Sequence, residues 1–514
     1  MTTVRLLRWA TNGEETIIVA NNGGNSVSSV KLPGWKAMRP LRRIVLATTT
    51  VLLVLGTGLG GAEAATSLRC GKVITKDTKL TADIGPCAGA GLIVAANGIT
   101  LDLGGHTVTG KPQARPDQPL GPFGHDQAGI VLQRVEGVTV TNGTVTRFDA
   151  GVAIMGGSRN TVRGIIARDN VNYRILTGRE AFPEDINLET GPFCNFGDGI
   201  TAFNSPDNLI TGNVTTGNGP FSGISLVENS DNNMVLGNQV VDNDVINQSP
   251  DGRPNTICGG LVPDTPDLTG RRVSDIGIRV EGPGADRNVV AGNQVVRSGL
   301  AGIVVHAVHV TASSPANGYN TIRGNQIFET GKVGVGIERH LHGIMLQHSG
   351  SELVWGPHDT LVENNTSSRN FGGGIMVDSR GPGIYGTVVR NNVVNDNGLD
   401  GVHVAGPGDP AGPANLLVDN LGSGNGARAA EVNAQFPPEA NYAGTDGADM
   451  SKGCIHNKWL GNRFGTVNQR CVAEQGTGRV VPSAGHLVTE WFPPAAAASA
   501  ASTGGSDIAG FGRA

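Results

Sequence analysis

The sequence predicts an all-β fold, a β-solenoid in which short strands stack coil upon coil. Three observations predict it. Glycine supplies 78 of 514 residues without a Gly-X-Y period, which excludes collagen. The chain is 38% hydrophobic, which predicts that it folds, but only 4% of its residues are aromatic. So few large aromatic side chains argue against several conventional globular cores. Two short patterns, one ending in Asn and one beginning with Gly, recur along the chain.

The first pattern is a hexad with two central apolar residues and a closing Asn. Its copies are Asn208–Asn213, Asn233–Asn238, Asn288–Asn293, Asn320–Asn325, Thr360–Asn365, Gly386–Asn391, Asn415–Asn420 and Asn457–Asn462, with a degenerate copy at Asn160–Ile165. Asn side chains stacked in register can hydrogen-bond along the stack as a ladder, and Asn tolerates left-handed turns. We therefore expect the closing Asn residues to stack.

The second pattern is Gly-[Ile/Val]-x-apolar. It occurs at Gly199, Gly223, Gly277, Gly302, Gly374 and Gly401. Where both patterns occur, the closing Asn precedes the next Gly by nine or ten residues. A repeat of roughly 22–28 residues with short strands and Gly/Asn turns is one coil of a solenoid. Because strand side chains alternate, positions one and three after Gly fill the core and positions two and four face outward.

The outward positions form two predicted columns. The column two after Gly reads Thr201, Ser225, Arg279, Val304, Met345 or Gly336, Met376 and His403; the column four after Gly reads Phe203, Val227, Glu281, His306, Gln347 or Glu338, Asp378 and Ala405. The alternatives arise because both Gly334 and Gly343 fit the pattern. Charged and imidazole side chains gather in the middle coils, and Arg380 and Tyr385 lie in the same stretch.

The N-terminal region contains an export signal. Met38–Arg43 is basic, Ile44–Leu55 is dominated by apolar residues, and Ala62-Glu63-Ala64 matches a small-x-small cleavage pattern. We expect residues 38–64 to be a signal peptide cleaved before Ala65, and residues 1–37 to be a non-native extension. A membrane anchor is the alternative, because Ile44–Gly61 is 18 residues long, but the threonines and glycines within that segment and the Ala-Glu-Ala that follows it favour cleavage.

Charge and cysteine content narrow the partners and the compartment. After removal of residues 1–64, 32 basic and 41 acidic residues leave a net charge of −9, which opposes nucleic-acid binding. Six cysteines in an exported chain predict three disulfides, and six cysteines allow about fifteen pairings. Proximity in the chain favours the pairs Cys70–Cys87, Cys194–Cys258 and Cys454–Cys471, the first and last of which would staple the two ends.

The segment Gly98–Gly110 and the Asn and Gly-Ile repeats resemble right-handed parallel β-helix proteins of the pectate-lyase-like superfamily, over roughly residues 68–470. The resemblance implies a single-stranded right-handed parallel β-helix. We expect an N-terminal cap and first coil at 65–110, the helix proper at 111–472 and an irregular tail at 473–514. Insertions at Arg174–Asn195 and Gln248–Asp275 are expected to form one wall of a cleft, because solenoid insertions map to loops on the binding face.

The tetrapeptide Gly356-Pro357-His358-Asp359 is similar to the Asp-Pro-His-Asp motif of mannuronan C5-epimerases. His358 and Asp359 have counterparts in that motif, whereas Gly356 replaces its first Asp. The resemblance implies catalytic roles for His358 and Asp359, and it makes calcium a candidate cofactor.

The predicted site follows from the columns and this motif. Its members are His306, His358, Asp359, Asp378 and Arg380 as catalytic residues, and Arg279, Glu281 and His403 as substrate-binding residues. Glu281 and Asp378 fall roughly 10–14 Å apart, which is long for a glycosidase pair. Lyases and epimerases of uronic acids need a cation, a base and an acid instead, which Arg, His and Tyr side chains supply.

We therefore predict a secreted or cell-surface protein that acts on or binds an acidic polysaccharide, by β-elimination or C5 epimerisation if it is catalytic. The alternative is a non-catalytic cell-surface or matrix protein in which the stacked coils form a stiff rod. In either case we expect a monomer without nucleic-acid partners and without stable membrane insertion after signal cleavage.

Overall fold

The computed structural model describes most of the chain from residue 68 to residue 488, with gaps. The described ranges are 68–111, 128–171, 197–219, 221–244, 276–307, 317–331, 342–348, 356–378, 384–410, 412–435 and 441–488, together with isolated strands before and between them. The predicted signal peptide, Cys258, Arg380 and the segment 489–514 lie outside the described residues. Residues 1–65 and residues 66–514 form two separate compact units.

Three parallel sheets form the three sides of each coil. The strands of sheet A are Lys72–Ile74, Leu92–Val94, Ala128–Gln133, Ala150–Met155, Asp198–Phe203, Ser222–Val227, Ile276–Glu281, Ala301–Ala307, Ile344–His348, Ile375–Val377, Val402–Val404 and Gly447–Asp449. The strands of sheet B are Thr78–Lys79, Thr100–Asp102, Leu209–Thr211, Met234–Leu236, Val289–Ala291, Thr321–Arg323, Leu361–Glu363, Val388–Arg390, Asn415–Val418 and Asn457–Leu460. The strands of sheet C are Ile84–Cys87, Thr107–Gly110, Val214–Thr216, Gln239–Val241, Gln294–Val296, Gln326–Phe328, Thr366–Ser368, Val393–Asn395, Leu421–Ser423, Arg463–Val467 and Thr477–Val480.

Two longer strands, Thr139–Thr146 and Thr161–Arg168, run through the corner between sheets B and C and pair with both. The chain runs through sheets A, B and C in turn and then begins the next coil, where each strand pairs in parallel with its equivalent. Parallel connections of this kind are right-handed in nearly all proteins. The predicted fold class, a single-stranded right-handed parallel β-helix, is confirmed.

The register of sheet A resolves the ambiguity in the outward columns. Val304 pairs with Met345, and Met345 pairs with Met376, so the strand that follows Gly343 belongs to the stack. His306 accordingly pairs with Gln347. Both predicted columns are therefore observed, and Met345 and Gln347, rather than Gly336 and Glu338, occupy the two positions that the sequence had left open.

The core is a continuous file of aliphatic side chains. Positions one and three after each Gly are buried, as in Ile278 and Val280, and the central residues of sheets B and C add Val290 and Val295 from the same coil. This follows from the alternation of strand side chains, which sends every second residue into the interior. Gly277 lies where a Cβ would stand 2.4 Å from a methyl of Val295, so glycine lets the strand approach the core closely.

The closing Asn residues form the predicted ladder. In each step the backbone N–H and the side-chain amide of one Asn donate to Oδ1 of the next, as from Asn238 to Asn293 at 2.9 and 3.0 Å. The ladder runs through Asn213, Asn238, Asn293, Asn325, Asn365, Asn392, Asn420 and Asn462. The hexad predicted at Gly386–Asn391 is thus shifted by one residue: Asn392 joins the ladder and Asn391 takes a left-handed turn with φ 54°.

Two further ladders occupy the other corners, and the repeats had not predicted them. One joins the first residues of the hexads, for example Asn208 to Asn233 and Asn233 to Asn288. The other follows sheet C, linking Asn170 to Asn218 and Asn218 to Asn243 near one end. All three use buried amides, so every corner of the coil is fixed by hydrogen bonds along the axis.

Both ends of the helix carry a disulfide, as predicted. Cys70–Cys87 has a Cα–Cα distance of 5.4 Å and Cys454–Cys471 one of 6.2 Å. The third predicted pair, Cys194–Cys258, stays a prediction, because Cys258 lies outside the described residues. Near the C-terminal end, Asp449 pairs with Val404 and occupies the equivalent core position on the next coil. Its carboxylate accepts hydrogen bonds from the N–H of Ser451 and from the indole N–H of Trp459.

Other elements lie outside the regular coils. Helix Ala429–Gln435 and the 3₁₀ turn Arg470–Ala473 precede strand Thr477–Val480, which pairs with Arg463–Val467 beyond the boundary expected at 472. Strands Ile175–Thr177 and Pro192–Cys194 form an antiparallel pair within the first predicted insertion. In residues 1–65, strands Arg5–Thr11, Glu14–Ala20 and Ser28–Leu32 form an antiparallel sheet. Among the described residues, no helix has the length and apolar composition that crossing a bilayer requires.

Replacing a central Asn of the ladder tests its contribution to stability. In Asn293→Ala the backbone N–H of Asn238 and one hydrogen of its side-chain amide lose their acceptor, and each buried unsatisfied group costs about 1–3 kcal/mol. We expect a clear drop in the midpoint of chemical denaturation. The adjacent Gln294 is exposed, so Gln294→Ala is the control and should leave the midpoint nearly unchanged. Equal midpoints for the two variants would contradict this role of the ladder.

Candidate functional site

The central coils of sheet A bring three predicted residues together on the outer face. Arg279 and Glu281 lie two positions apart on one strand, and His306 pairs with Glu281 on the next. A guanidinium N–H of Arg279 donates to the Glu281 carboxylate, and Nδ1 of His306 lies 3.0 Å from the same oxygen, Oε2. The parallel register therefore creates a chain of Arg, Glu and His side chains that are not adjacent in sequence.

This chain of charges is largely shielded from water. Arg279 and Glu281 are buried, and the guanidinium lies 4.0 Å from the ring centre of Phe221. Burial raises the pKa of the Glu281 carboxyl, but the charge of Arg279 and the hydrogen bond from His306 outweigh it and lower the pKa to about 2. An ionised Glu281 accepts from Nδ1–H of His306, which leaves Nε2 of that ring as the basic nitrogen.

A buried carboxyl, that of Asp198, joins the same face. Asp198 pairs with Ser222 of the next strand, and Ser225 of that strand donates to the hydroxyl of Thr201 at 2.8 Å. Burial raises the pKa of Asp198 to about 8, although Ser225 and the charge of Arg279 act in the opposite direction. The sequence signal for this residue was its position directly before the Gly of the repeat, where Asp400 also lies.

The Pro-His-Asp motif forms a second group at the turn between sheets A and B. Nδ1 of His358 lies 2.8 Å from Oδ2 of Asp359, so the carboxylate fixes the orientation of the imidazole. The His358 ring stacks on Tyr385 of the next coil, with centroids 5.1 Å apart and planes 18° apart. Burial, then the charge of Asp359, raises the pKa of Tyr385, so the phenol keeps its proton at neutral pH.

Glycines make room for these stacked rings. A Cβ on Gly318 would lie 2.4 Å from the His358 ring, and one on Gly412 would lie 2.1 Å from the Tyr385 ring. The order along the axis is therefore Gly318, His358, Tyr385, Gly412, with the ring edges rather than the faces directed outward.

Tyr319 and Arg287 extend this second group along the axis. Tyr319 is 53% exposed and meets His358 edge-on at 5.3 Å. The exposed Arg287 lies with its guanidinium 5.6 Å from the Tyr319 ring centre. Arg287, Tyr319 and Asp359 occupy equivalent left-handed positions in consecutive turns, with φ between 46° and 57°. Sequence analysis missed Arg287 and Tyr319, although their place directly before each hexad is visible in the sequence.

Asn317 connects the two groups through the backbone. Its side-chain amide donates to the carbonyl of His306 at 3.1 Å, and its carbonyl accepts from the N–H of His358 at 3.3 Å. The end of the strand that carries His306 is therefore joined to the turn that carries His358. The structure describes no direct contact between the two imidazole side chains.

His403 lies apart from both groups, at the C-terminal end of sheet A. Its Nδ1 is 2.8 Å from Oδ2 of Asp400, which also accepts the N–H groups of Ala443 and Thr445. Its ring packs against Tyr442 with centroids 5.0 Å apart. His403 is 2% exposed, and its substrate-binding role stays a prediction.

The remaining predicted residues are distributed as follows. Asp378 is buried, and its N–H donates to the carbonyl of Leu346 at 2.9 Å. Arg380 lies outside the described residues. Between Arg279 and His403, the outward column holds the buried apolar side chains Val304, Met345 and Met376. In the part of the chain that the structure describes, no three His, Cys, Asp or Glu residues are grouped as metal ligands.

The pKa values of Asp198 and Glu281 predict how stability depends on pH. The folded chain retains the Asp198 proton up to about pH 8, well above the ordinary value of 3.8, so this residue lowers stability as pH rises through that interval. Glu281 has a lowered pKa, so its stabilising contribution is lost as pH falls from 4.5 towards 2. We expect Asp198→Asn to flatten the decline of melting temperature between pH 5 and pH 8. The exposed Asp207→Asn is the control, and a profile unchanged by Asp198→Asn would refute the assignment.

Comparisons with known proteins give one partial family match. Residues 117–257, about a quarter of the chain, match the family model described as periplasmic copper-binding protein (NosD). No curated protein sequence matches significantly. The two described disulfides are consistent with an extracytoplasmic location.

Several solved structures are similar at low identity. The Dettilon tailspike protein (gp208) is 14% identical with a TM-score of 0.39, covering 68% of this chain and 54% of its own. The T265N mutant of the periplasmic alginate epimerase AlgG is 11% identical with a TM-score of 0.39, covering 68% and 70%. The catalytic domain of a GH87 α-1,3-glucanase in complex with nigerose is 14% identical with a TM-score of 0.41, covering 69% and 59%.

The chain thus spans little more than half the length of the tailspike and of the glucanase domain. At these identities the likeness says nothing of activity, and the fold of this chain rests on its own strand pairing. The resemblance expected from the sequence is confirmed at the level of the fold: the chain is a right-handed parallel β-helix protein.

Proposed function

We propose that this protein acts on an acidic polysaccharide outside the cytoplasm, by β-elimination or C5 epimerisation at the turn that carries His358. The observation that carries the proposal is the His358–Asp359 pair stacked on Tyr385. An oriented imidazole and a protonated phenol side by side are a base and an acid of the kind that proton abstraction beside a carboxylate requires.

The chemistry assigns one step to each side chain. Nε2 of His358 takes the C5 proton of a uronate, and Asp359 stabilises the imidazolium that forms. In elimination, Tyr385 protonates the leaving oxygen at C4 as the C4–O bond breaks, which yields an unsaturated sugar. In epimerisation, a proton returns to C5 from the opposite face of the sugar ring, and the glycosidic bond of the polysaccharide stays intact.

A cation is needed to stabilise the negative charge that develops on the sugar carboxylate. The guanidinium of Arg279 donates to the Glu281 carboxylate and packs against the ring of Phe221, so it does not serve this purpose. Arg287 is exposed and lies beside Tyr319 on the same row of turns as Asp359, so we assign the carboxylate contact to Arg287. Calcium remains a candidate for the same task, and Arg380 remains a predicted participant.

Two substitutions test the assignment of His358 and Tyr385. Tyr385→Phe keeps the ring against His358 and Gly412 and removes only the hydroxyl, while His358→Gln removes the base. We expect each to lower turnover by about 100-fold or more, because general acid and base groups contribute about 10²–10⁴-fold. Purified protein is incubated with a panel of polyuronates, with calcium and with a chelator. Ultraviolet absorbance reports unsaturated products, and proton NMR reports epimerisation.

Control variants separate this site from the others. His106→Gln alters a histidine of an early coil that bonds to Asp83 and should leave turnover unchanged. His306→Gln reports on the Arg279–Glu281–His306 chain; if it alone abolished turnover, the chemistry would belong there and not at His358. Binding of a polyuronate without turnover, unaffected by any of these variants, would favour the non-catalytic rod instead.

Export is proposed together with this function. The signal pattern at residues 38–64 predicts cleavage before Ala65, and the partially matched family model describes periplasmic proteins. We expect the mature protein to begin near Ala65, to contain no free thiols and to be secreted or at the cell surface. Intact-mass spectrometry with and without thiol alkylation measures both. A membrane-bound form that retains residues 38–64 would support an anchor instead.

A further inference from the structure

Tyr319 places an aromatic ring at a turn position where other coils carry smaller residues. The equivalent positions hold Asp207, Asn232 and Gly386, with φ of 59°, 55° and 62°, and these residue types tolerate the left-handed conformation. A bulky side chain is an outlier in that conformation, which Tyr319 adopts with φ 57°. Burial does not explain the ring, since Tyr319 is 53% exposed, and backbone strain of this kind gathers at ligand-binding positions.

The ring of Tyr319 lies between the exposed cation and the base of the proposed site. The guanidinium of Arg287 lies 5.6 Å from the centre of the Tyr319 ring, and the centre of the His358 ring lies 5.3 Å from it. The backbone fixes this placement. The N–H of Tyr319 donates to the carbonyl of His358 at 3.2 Å, and the N–H of Arg287 donates to the carbonyl of Gly318 at 3.0 Å. A ligand that contacts both Arg287 and His358 therefore lies against Tyr319.

The exposed phenol ring of Tyr319 suits a sugar. A pyranose presents carbon-bound hydrogens on its flat faces, which pack on the electron-rich face of an aromatic ring and withdraw apolar surface from water. Arg287 and Asp359 lie two coils apart, about 10 Å at about 4.8 Å per coil, which one uronate spans with its carboxylate bound at one end. Among the large apolar side chains that are exposed in the described part of the chain, that of Tyr319 is the aromatic one.

We propose that Tyr319 is the platform on which the bound uronate stacks, with the sugar carboxylate on Arg287 and C5 directed to Nε2 of His358. This role rests on the proposed function, because His358 is taken as the base. Tyr319 is then a specificity-determining residue. It holds the sugar by one face and leaves the C5 hydrogen of that face to the imidazole.

Stacking on Tyr319 selects the kind of uronate. An axial oxygen on the stacked face would hold the sugar away from the ring, and a hydroxyl pressed there would lose its hydrogen bond to water. In a β-linked glucuronate every ring substituent is equatorial, so the face that carries the C5 hydrogen is free of oxygen. In an α-linked galacturonate the glycosidic oxygen is axial on that face. We therefore expect the platform to favour β-linked, equatorially substituted uronates over α-linked galacturonates.

The test measures the affinity for β-linked polyglucuronate oligosaccharides by isothermal titration calorimetry, in the His358→Gln chain so that turnover does not interfere. Tyr319→Asn suits the left-handed turn and removes the ring, and it should raise Kd by about 10-fold. Tyr319→Phe keeps the ring and should leave Kd nearly unchanged. The loss in Tyr319→Asn should persist in high salt, whereas Arg287→Gln should weaken binding mainly in low salt, because salt screens exposed charges.

A matched control removes another exposed apolar side chain. Leu421 is 41% exposed on sheet C, so Leu421→Asn should leave Kd unchanged. Melting temperatures identify variants that fail to fold, and Tyr319→Gly is a second ring-free variant that suits the turn. Unchanged Kd in Tyr319→Asn, an equal loss in Leu421→Asn, tighter binding of α-linked polygalacturonate or no binding of any polyuronate would overturn the proposal.

Turnover separates the platform from the chemistry assigned to His358. In the chain that retains His358, Tyr319→Asn should raise KM by about 10-fold and change kcat less, because stacking binds substrate and transition state alike. A fall in kcat with unchanged KM would overturn the platform. A wild-type chain that binds polyglucuronate through Tyr319 without turning it over would support the platform and defeat the chemistry proposed for His358.

Discussion

The structure depends on hydrogen bonding between equivalent residues of successive coils. Backbone pairing alone would hold parallel strands together, but it would tolerate a slip of register. The Asn ladders do not tolerate such a slip, because the side-chain amide at a corner reaches its partner only when both coils begin their turns at equivalent residues. Asn238 illustrates the point: its N–H and its side-chain amide both donate to Asn293, and its amide also donates to the carbonyl of Ile210. One slipped coil would leave several buried groups without partners, at about 1–3 kcal/mol each.

Fixed register converts sequence positions into surface columns, and this is how chemically active groups meet. Glu281 and His306 are 25 residues apart, yet the stacking places their side chains side by side. Insertions between sheets A and B change the length of a coil without disturbing the column, since the chain returns to the same corner. Asn317 lies where the chain re-enters the coil after such an insertion, and its side-chain amide donates to the carbonyl of His306.

Burial then decides what each charged group can do. Glu281 remains ionised in a dry position because Arg279 lies against it, and breaking a buried pair of this kind costs more than the pair contributes. Asp198, a short distance along the same face, has a raised pKa because burial outweighs its polar contacts. The turn group is wetter, and there Asp359 orients His358 while neighbouring glycines leave space for stacked rings. The side chains of His306 and His358 are similarly exposed, at 16% and 14%, but Asp359 is 27% exposed against 10% for Glu281, which is why substrate chemistry is assigned to the turn.

The sequence by itself determined the solenoid, the alternation of core and outward residues, the Asn ladder and the two end disulfides. These follow from local rules: a pattern repeated at fixed offsets leaves one stacking register that buries every apolar position. The sequence also placed Glu281 and His306 in one column by periodicity, and a short motif marked His358 as a candidate. Only the tertiary structure decided between Gly334 and Gly343, moved the ladder from Asn391 to Asn392, and joined His403 to Asp400 and Tyr442. Those outcomes depend on which coil packs against which, and contacts between distant segments leave no periodic trace in the chain.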